Sequence, residues 1–360
     1  MLTSHQAHSF TGQLHAAPSN AVLHKLQHIP LLSTHHKFMR PAITRTLYRL
    51  LQMRTDDACM YLAGTKLFEA DLYDDNRLIS PQQLYQLIHN ARRCPDPELP
   101  FLVGQQLMQS QEPLAQLLMS TVNPSQVLRA IHSYYANWHL PLQYCQLNDN
   151  NQRHLDLRRL PASAEVQQFF EKVVCGGVAL WSRHHGIEVS WYLPNHYRAE
   201  HRLWQRHLGL AVHYGRQDVR ISLSQPSVQR ALQSNTHRPA QNMRRHCSQL
   251  SVQVPRGITL VHAVYLYLQQ QPQDSLEQVA NWFAMSASTF KRKLKEEGAS
   301  YSKMQDDNNR YRALQLARDL GWSNGQMADY FDISDINNFR RAFKRWTGLK
   351  PSQLKADYLA

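Results

Sequence analysis

The last hundred residues state one pattern twice: a short amphipathic helix, a tight turn, and a second helix with a basic outer face. The first copy is D-S-L-E-Q-V-A-N-W-F-A-M-S-A-S-T-F-K-R-K-L-K-E-E-G, from Asp274 to Gly298. Asp274 and Glu277 have the spacing of a capping box, in which two side chains satisfy N–H groups left open at a helix start. Leu276, Val279, Ala280 and Phe283 follow at i, i+3, i+4 and i+7, which is one apolar helix face. Ala284-Met285-Ser286 reads as a turn, with Ser286 placed to cap a second helix. Phe290 and Leu294 then point inward, leaving Ser288, Thr289, Lys291, Arg292 and Lys295 on the outside. A scaffold helix, a turn and a basic second helix form the helix-turn-helix plan, whose second helix enters a DNA major groove.

The second copy, S-N-G-Q-M-A-D-Y-F-D-I-S-D-I-N-N-F-R-R-A-F-K-R-W-T-G, starts at Ser323. Ser323 and Gln326 form a capping-box pair, Met327, Ala328 and Phe331 supply the buried face, and Ile333 sits in the turn. Phe339, Phe343 and Trp346 recur at i, i+4 and i+7 and are expected in the core. Asn337, Asn338, Arg340, Arg341, Lys344 and Arg345 are left outside. Asn pairs with adenine edges and Arg with guanine edges, so this face has the chemistry of a reading surface. Between the copies, Tyr301 to Leu320 predicts one linker helix about 30 Å long, close to the ~34 Å between successive major-groove faces on one side of a duplex. Met304, Tyr311, Leu314, Leu316, Ala317 and Leu320 are its expected inward residues. A basic cluster alone is more often a solvated helix face than a contact surface. Two clusters on one repeated, capped framework reverse that preference.

On these residues the segment Asp274–Asp357 resembles the C-terminal DNA-binding domain of AraC/XylS-type regulators. The most specific run is N-F-R-R-A-F-K-R-W-T-G-L-K-P-S, Asn338 to Ser352. Phe290 to Tyr301, F-K-R-K-L-K-E-E-G-A-S-Y, is similar to the first recognition helix and its exit in the branch carrying an arabinose-binding-type effector and dimerisation domain. The chain departs from that pattern at Asp332, where the family usually has Gly, and at Asn337, where it often has Ser. With the face chemistry, the resemblance assigns base contacts to Ser288, Thr289, Lys291, Arg292, Asn337, Asn338 and Arg341. It leaves phosphate contacts to Lys295, Arg340, Lys344 and Arg345.

The expected fold is an α+β N-terminal sensor domain followed by an all-α domain with two helix-turn-helix motifs, at 274–297 and 323–347, joined by a linker helix. Residues 1–38 read as a polar, loosely ordered arm, 39–232 as the effector-binding and dimerisation domain, 233–255 as a connector and 256–360 as the DNA-binding domain. In the N-terminal part Ile43–Gln52, Pro81–Ala91, Leu99–Gln109, Pro124–Trp138, Phe169–Trp181 and Tyr197–Leu208 predict helices. Leu140–Leu147, His154–Leu160, Ile187–Trp191, Leu210–Tyr214 and Val219–Leu223 predict a small sheet. The order of these elements, the F-L-V-G-Q-Q-L run from Phe101 and H-L-G-L-A-V-H-Y-G from His207 resemble the sensor domain of the same branch. That likeness implies a small-molecule effector of unknown identity, a homodimer formed through this domain, and RNA polymerase as a candidate further partner. Tyr134, Trp138, Trp181 and Trp191 are candidate pocket aromatics, and Arg183 is a candidate for an anionic head group.

A formal charge of +13 in 360 residues suits a polyanionic partner, although most of it lies before residue 256. No stretch approaches the ~20 apolar residues of a membrane span. The start, M-L-T-S-H-Q, lacks a basic n-region followed by an apolar one, so a cytoplasmic protein of a bacterium is expected. Cys59, Cys94, Cys145, Cys175 and Cys247 are scattered without a C-x-x-C pair, and the histidines of the first 38 residues have no ligand spacing. No metal and no cofactor are therefore expected. The chain has no G-x-S-x-G, H-E-x-x-H or phosphate-binding loop motif, which argues against an enzyme. The alternatives are an architectural or constitutive DNA binder without effector control and an enzyme fused to a DNA-binding domain. The two hundred or so residues preceding the reader favour a regulator.

Overall fold

The computed structural model describes residues 23, 26–74, 76–133, 142–148, 152–159, 162–234, 241–252, 257–318 and 321–351. They divide into two compact units: Ser33–Gly257, and the described residues up to Leu32 together with those from Ile258 onward.

The unit Ser33–Gly257 mixes helices with one sheet. Its described helices are α1 (Ala42–Gln52), α2 (Glu69–Tyr73), α3 (Pro81–Ala91), α4 (Leu99–Gln109), α5 (Pro113–Met119), α6 (Pro124–Ser133), α7 (Ala164–His185), α8 (His201–Leu208), α9 (Gln225–Ser234) and α10 (Gln241–Val252). The strands are β1 (Leu142–Asn148), β2 (Gln152–Arg159), β3 (Val189–Pro194), β4 (Val212–Arg216) and β5 (Val219–Ser224). They form one five-stranded sheet in the order β1-β2-β5-β3-β4, antiparallel throughout except for the parallel pair β3/β4. All five expected strands are present, each within a few residues of its predicted bounds. The odd-numbered residues Leu155, Leu157, Val219, Ile221 and Leu223 share one face of β2 and β5, as period-two alternation requires. On the opposite face, Arg220 grips Asp156 through two hydrogen bonds of 2.6 and 2.8 Å, both side chains buried.

Helix ends follow local chemistry. Ser80 accepts from the Gln83 N–H and Gln83 returns the bond to Ser80 N, while Pro81 fills the first turn of α3, where its missing N–H costs nothing. The long helix α7 is capped by the Ser163 side chain and ended by Gly186 in a left-handed conformation at φ 65°. It crosses α4 at backbone contact. A Cβ on Gly104 would lie 1.9 Å from the Val173 carbonyl oxygen, and one on Gly176 would lie 2.5 Å from that of Phe101. The F-L-V-G-Q-Q-L run is thus the α4 side of a glycine-mediated helix crossing. Phe101 anchors the same region, edge-on to Trp204 at 4.9 Å and stacked on His207 at 4.5 Å.

Several expectations change here. The stretch 233–255, read as a connector, contains α10, which packs against α5. Helices α2, α5 and α9 were not expected. The helix read over Tyr197–Leu208 divides into a 3-10 turn over Asn195–Glu200 followed by α8. Within the stretch read as a polar arm, Phe38 is buried and Leu31–Leu32 form a strand. Positions 134–138, the predicted end of α6, lie outside the described residues.

The other unit is largely helical. Leu31–Leu32 pair in parallel with Ile258–Thr259, the only strands among its described residues. Then come α11 (Leu260–Gln270), α12 (Leu276–Trp282), α13 (Ala287–Glu296), α14 (Tyr301–Arg318), α15 (Asn324–Tyr330) and α16 (Ile336–Thr347). Helix α11 was not anticipated. Thr259 caps it, and most of its side chains are buried, so it lacks the polar face that marks an amphipathic helix in sequence. The second core gathers Leu314 and Leu316 of α14, Met327 and Ala328 of α15, and Phe339, Phe343 and Trp346 of α16. The α14 helix is described to Arg318, with Leu320 beyond the described residues, and its 18 residues correspond to a length of about 27 Å.

Candidate nucleic-acid interface

The two helix pairs α12/α13 and α15/α16 are built alike, atom for atom in places. Ser275 caps α12 by accepting from Gln278 N, and Gln278 Oε1 accepts from Ser275 N at 2.6 Å. The capping box therefore starts one residue later than Asp274–Glu277, the expected pair. Asp274 is held elsewhere: its carboxylate accepts from the Tyr267 hydroxyl and its carbonyl from the Tyr301 hydroxyl. In the second pair Ser323 and Gln326 form the expected reciprocal bonds at 3.3 and 2.8 Å.

Each first helix then ends on a phenylalanine and turns through a left-handed residue. Ala284 and Asp332 both have φ 54°. Met285 N donates to Ala280 O and Ile333 N to Ala328 O, each at 2.9 Å. Phe283 stacks on Phe290 with centroids 6.1 Å apart and rings 18° from parallel, and Phe331 on Phe339 at 6.3 Å and 22°. The turns differ in one respect. Ser286 caps α13, whereas α16 is capped one position later in the repeat by Asp335, which accepts from Asn337 N at 3.2 Å and Asn338 N at 3.0 Å. Sequence reading missed Asp335 as a cap, although an Asp four residues before a buried Phe is the available signal.

Helices fixed in this way present the predicted residues on one side of each. Ser288, Lys291, Arg292 and Lys295 of α13 are exposed and Thr289 is half-buried, while Phe290 and Leu294 are buried. Asn337, Asn338, Arg340, Arg341, Lys344 and Arg345 of α16 are exposed over a buried Phe339, Phe343 and Trp346. Ile336, at the first turn of α16, is 39% exposed, an apolar contact available to a thymine methyl that the sequence did not single out. Three basic groups are held loosely. Arg292 pairs with Glu296 at 2.5 Å, Arg345 with Asp306 of α14 at 3.2 Å, and Arg340 donates to Asn337 Oδ1 at 3.3 Å. Exposed pairs of this kind are worth at most about 1 kcal/mol, so a phosphate can displace them. Half-buried behind α13, Glu297 faces the start of α11 and accepts from Val261 N at 3.3 Å. Burial pushes its carboxyl up to about 7, against the pull of the Val261 and Leu260 N–H groups.

The residues expected to hold an effector are not brought together. Trp181 lines an apolar cavity between helices and sheet, and its indole N–H donates to Thr121 O at 3.0 Å. Trp191 is buried in β3, outside that cavity's lining. Arg183 donates to the His207 carbonyl at 2.9 Å instead of facing the cavity. Its position on α7 is two residues from Trp181, a spacing that puts side chains on different helix faces. Tyr134 and Trp138 lie outside the described residues. Among the described residues no cluster of His, Cys, Asp or Glu is arranged to hold a metal ion, and no helix is long and apolar enough to cross a membrane.

No family model matches the chain. An uncharacterized HTH-type transcriptional regulator of Mycobacterium tuberculosis is 23% identical over 325 residues, 86% of this chain and 94% of that protein. The HTH-type transcriptional regulator VqsM of Pseudomonas aeruginosa is 28% identical over 97 residues, 26% of this chain and 30% of its own length. The ornithine utilization regulator of the same organism is 34% identical over 80 residues, 22% of this chain and 24% of that protein. The crystal structure of the transcriptional regulator CdpR from Pseudomonas aeruginosa aligns over 86% of this chain and 96% of its own at 16% identity, with a TM-score of 0.34, too loose a likeness to argue from. The relatives matched by sequence are regulators rather than enzymes, and the chain is a distant homologue of HTH-type transcriptional regulators.

Proposed function

We propose that the chain is a sequence-specific DNA-binding regulator of the AraC/XylS type. In this reading α13 and α16 occupy successive major grooves, and a small-molecule effector bound in the unit Ser33–Gly257 controls them. The observation that carries it is the duplicated helix pair, with equal left-handed turns at Ala284 and Asp332 and an exposed basic face on each second helix. The linker α14, about 27 Å long, suits two helices that must reach groove segments about 34 Å apart. Ser288, Thr289, Lys291, Arg292, Asn337, Asn338 and Arg341 read bases, whereas Lys295, Arg340, Lys344 and Arg345 hold phosphates. A homodimer formed through the unit Ser33–Gly257 would double the site.

The test is hydroxyl-radical footprinting of the full chain on a fragment selected from genomic DNA. Two protected segments about 10 bp apart on one face for each protomer are expected. A single protected segment per protomer would overturn the two-groove reading, and sequence-independent coverage would favour an architectural binder.

A further inference from the structure

The apolar cavity of the unit Ser33–Gly257 has a volume of about 120 Å³ and lies between α4–α7 and the apolar face of β2 and β5. Leu107, Leu128, Leu155, Val178 and Ile221 are among its walls, and Trp181 forms part of one side. Gly104 and Gly177 line it at the point where α4 and α7 cross, and a Cβ on either would meet the facing helix. Among all the lining residues only Arg153 and His154 are polar. The two differ. His154 Nδ1 is engaged with Ser222 Oγ at 2.7 Å, on the far side of the sheet. Arg153 donates one guanidinium nitrogen to Ser125 Oγ at 3.0 Å, and its buried Nε has no hydrogen-bond partner among the described residues. No carboxylate among the described residues pairs with Arg153, and a buried guanidinium N–H left open is costly.

An otherwise apolar cavity with one incompletely satisfied guanidinium at its wall has the chemistry for a molecule with a hydrocarbon body and one anionic end. A cavity of 150 Å³ lined by apolar side chains accepts benzene, so a volume of about 120 Å³ suits roughly five or six carbons, with a longer chain reaching toward the mouth. We propose that this cavity binds a short- to medium-chain aliphatic monocarboxylate, its tail against Leu128, Leu155 and Val178 and its carboxylate on Arg153. The regulatory meaning of this site rests on the effector reading above, whereas its occupancy does not depend on DNA.

The experiment is calorimetric titration of the full-length protein, without DNA, with butanoate, hexanoate, octanoate and octan-1-ol. Saturable binding is expected, tightening about fourfold per added methylene while the chain still enters the cavity, with octanoate at least tenfold tighter than the alcohol. Arg153→Gln should remove the preference for octanoate over octan-1-ol. Val178→Phe, and separately Val127→Phe from the facing helix, should each abolish binding of both while the thermal unfolding transition is kept. No saturable binding by the wild-type chain, or undiminished binding by both Phe variants, overturns the cavity as the site. Equal affinity for acid and alcohol, unchanged by Arg153→Gln, overturns the carboxylate assignment. Ligand binding that succeeds while footprinting shows no DNA protection would instead sink the regulator reading, so the two failures are distinct.

Discussion

Ala284 and Asp332, 48 positions apart, hold the same left-handed backbone conformation at φ 54° and turn their two helix pairs through the same hydrogen bonds. Neither residue is suited to that conformation, which Gly adopts without penalty and Asp tolerates better than Ala. Ala284→Gly should therefore stabilise the C-terminal unit by about 1 kcal/mol, and Asp332→Gly by less. Amide hydrogen exchange at Val279 and Met327 in the full chain reads this locally. Faster exchange at Val279 in Ala284→Gly would show that the turn has no strain to relieve.

The core side of α16 is tested by truncation. Phe343 is fully buried among Phe339, Phe331 and the α14 aliphatics, and Phe343→Ala should cost on the order of 3–5 kcal/mol. DNA binding and the melting transition of the C-terminal unit should then be lost together, with the transition of the other unit retained. Loss of DNA binding with both transitions unchanged would place Phe343 at the DNA instead.

Reading and gripping separate by salt and sequence. Arg292→Ala or Arg341→Ala should cost roughly 1–3 kcal/mol on the cognate site and relax preference at a few adjacent base pairs. Lys344→Ala should weaken all sequences alike and reduce the salt slope by about one. Arg345→Ala should change that slope less, since Asp306 already neutralises part of its charge at 3.2 Å. Identical, sequence-independent losses for Arg292→Ala and Lys344→Ala would contradict the division of roles.

Glu297 gives the C-terminal unit a pH dependence of defined sign. Its carboxyl is raised from 4.5 to about 7 in the folded chain, so the folded state favours the protonated form. The stability it contributes is complete below about pH 4.5 and is lost as pH rises through 7, a swing on the order of 3 kcal/mol. Glu297→Gln keeps an acceptor for Val261 N–H and should flatten urea stability between pH 5 and 8, with its gain at the alkaline end. A variant with the same slope as the wild type would rule out Glu297 as the source.

The α4/α7 crossing predicts a steric result. Gly104→Ala places a methyl 1.9 Å from a backbone oxygen, so the helices must separate. A loss of about 3 kcal/mol or more is expected in the unfolding of that unit, measured by urea titration. A change below about 1 kcal/mol would mean that the crossing adjusts freely.

Legibility followed locality. The helix pairs could be read because caps, turns and aromatic spacing lie within one or two helical turns of each other, and Phe339, Phe343 and Trp346 are buried as their spacing requires. Strands β1–β5 could be read from alternation. Helix α11 could not, because burial on nearly all sides removes the polar face that marks a helix. The capping residue of α12 was misplaced by one because Asp274 and Ser275 are both competent caps, and only the Tyr267 and Tyr301 hydroxyls, distant in sequence, decide between them. The cavity was least visible of all. Its walls come from separate helices and strands joined by a glycine crossing, and aromatic content drew attention to Trp191 and Arg183 while the open guanidinium belongs to Arg153.

The parallel pairing of Leu31–Leu32 with Ile258–Thr259 makes the sheet-containing unit an insertion in the chain of its neighbour. Because the paired segments run the same way, the inserted chain departs from the downstream end of one and returns at the upstream end of the other. Tension between those two exits would load the pair in shear along its length instead of peeling it open one bond at a time. A protein fragment begun at Ile258 would lose both chain connections to the inserted unit and leave Ile258–Thr259 without its partner strand.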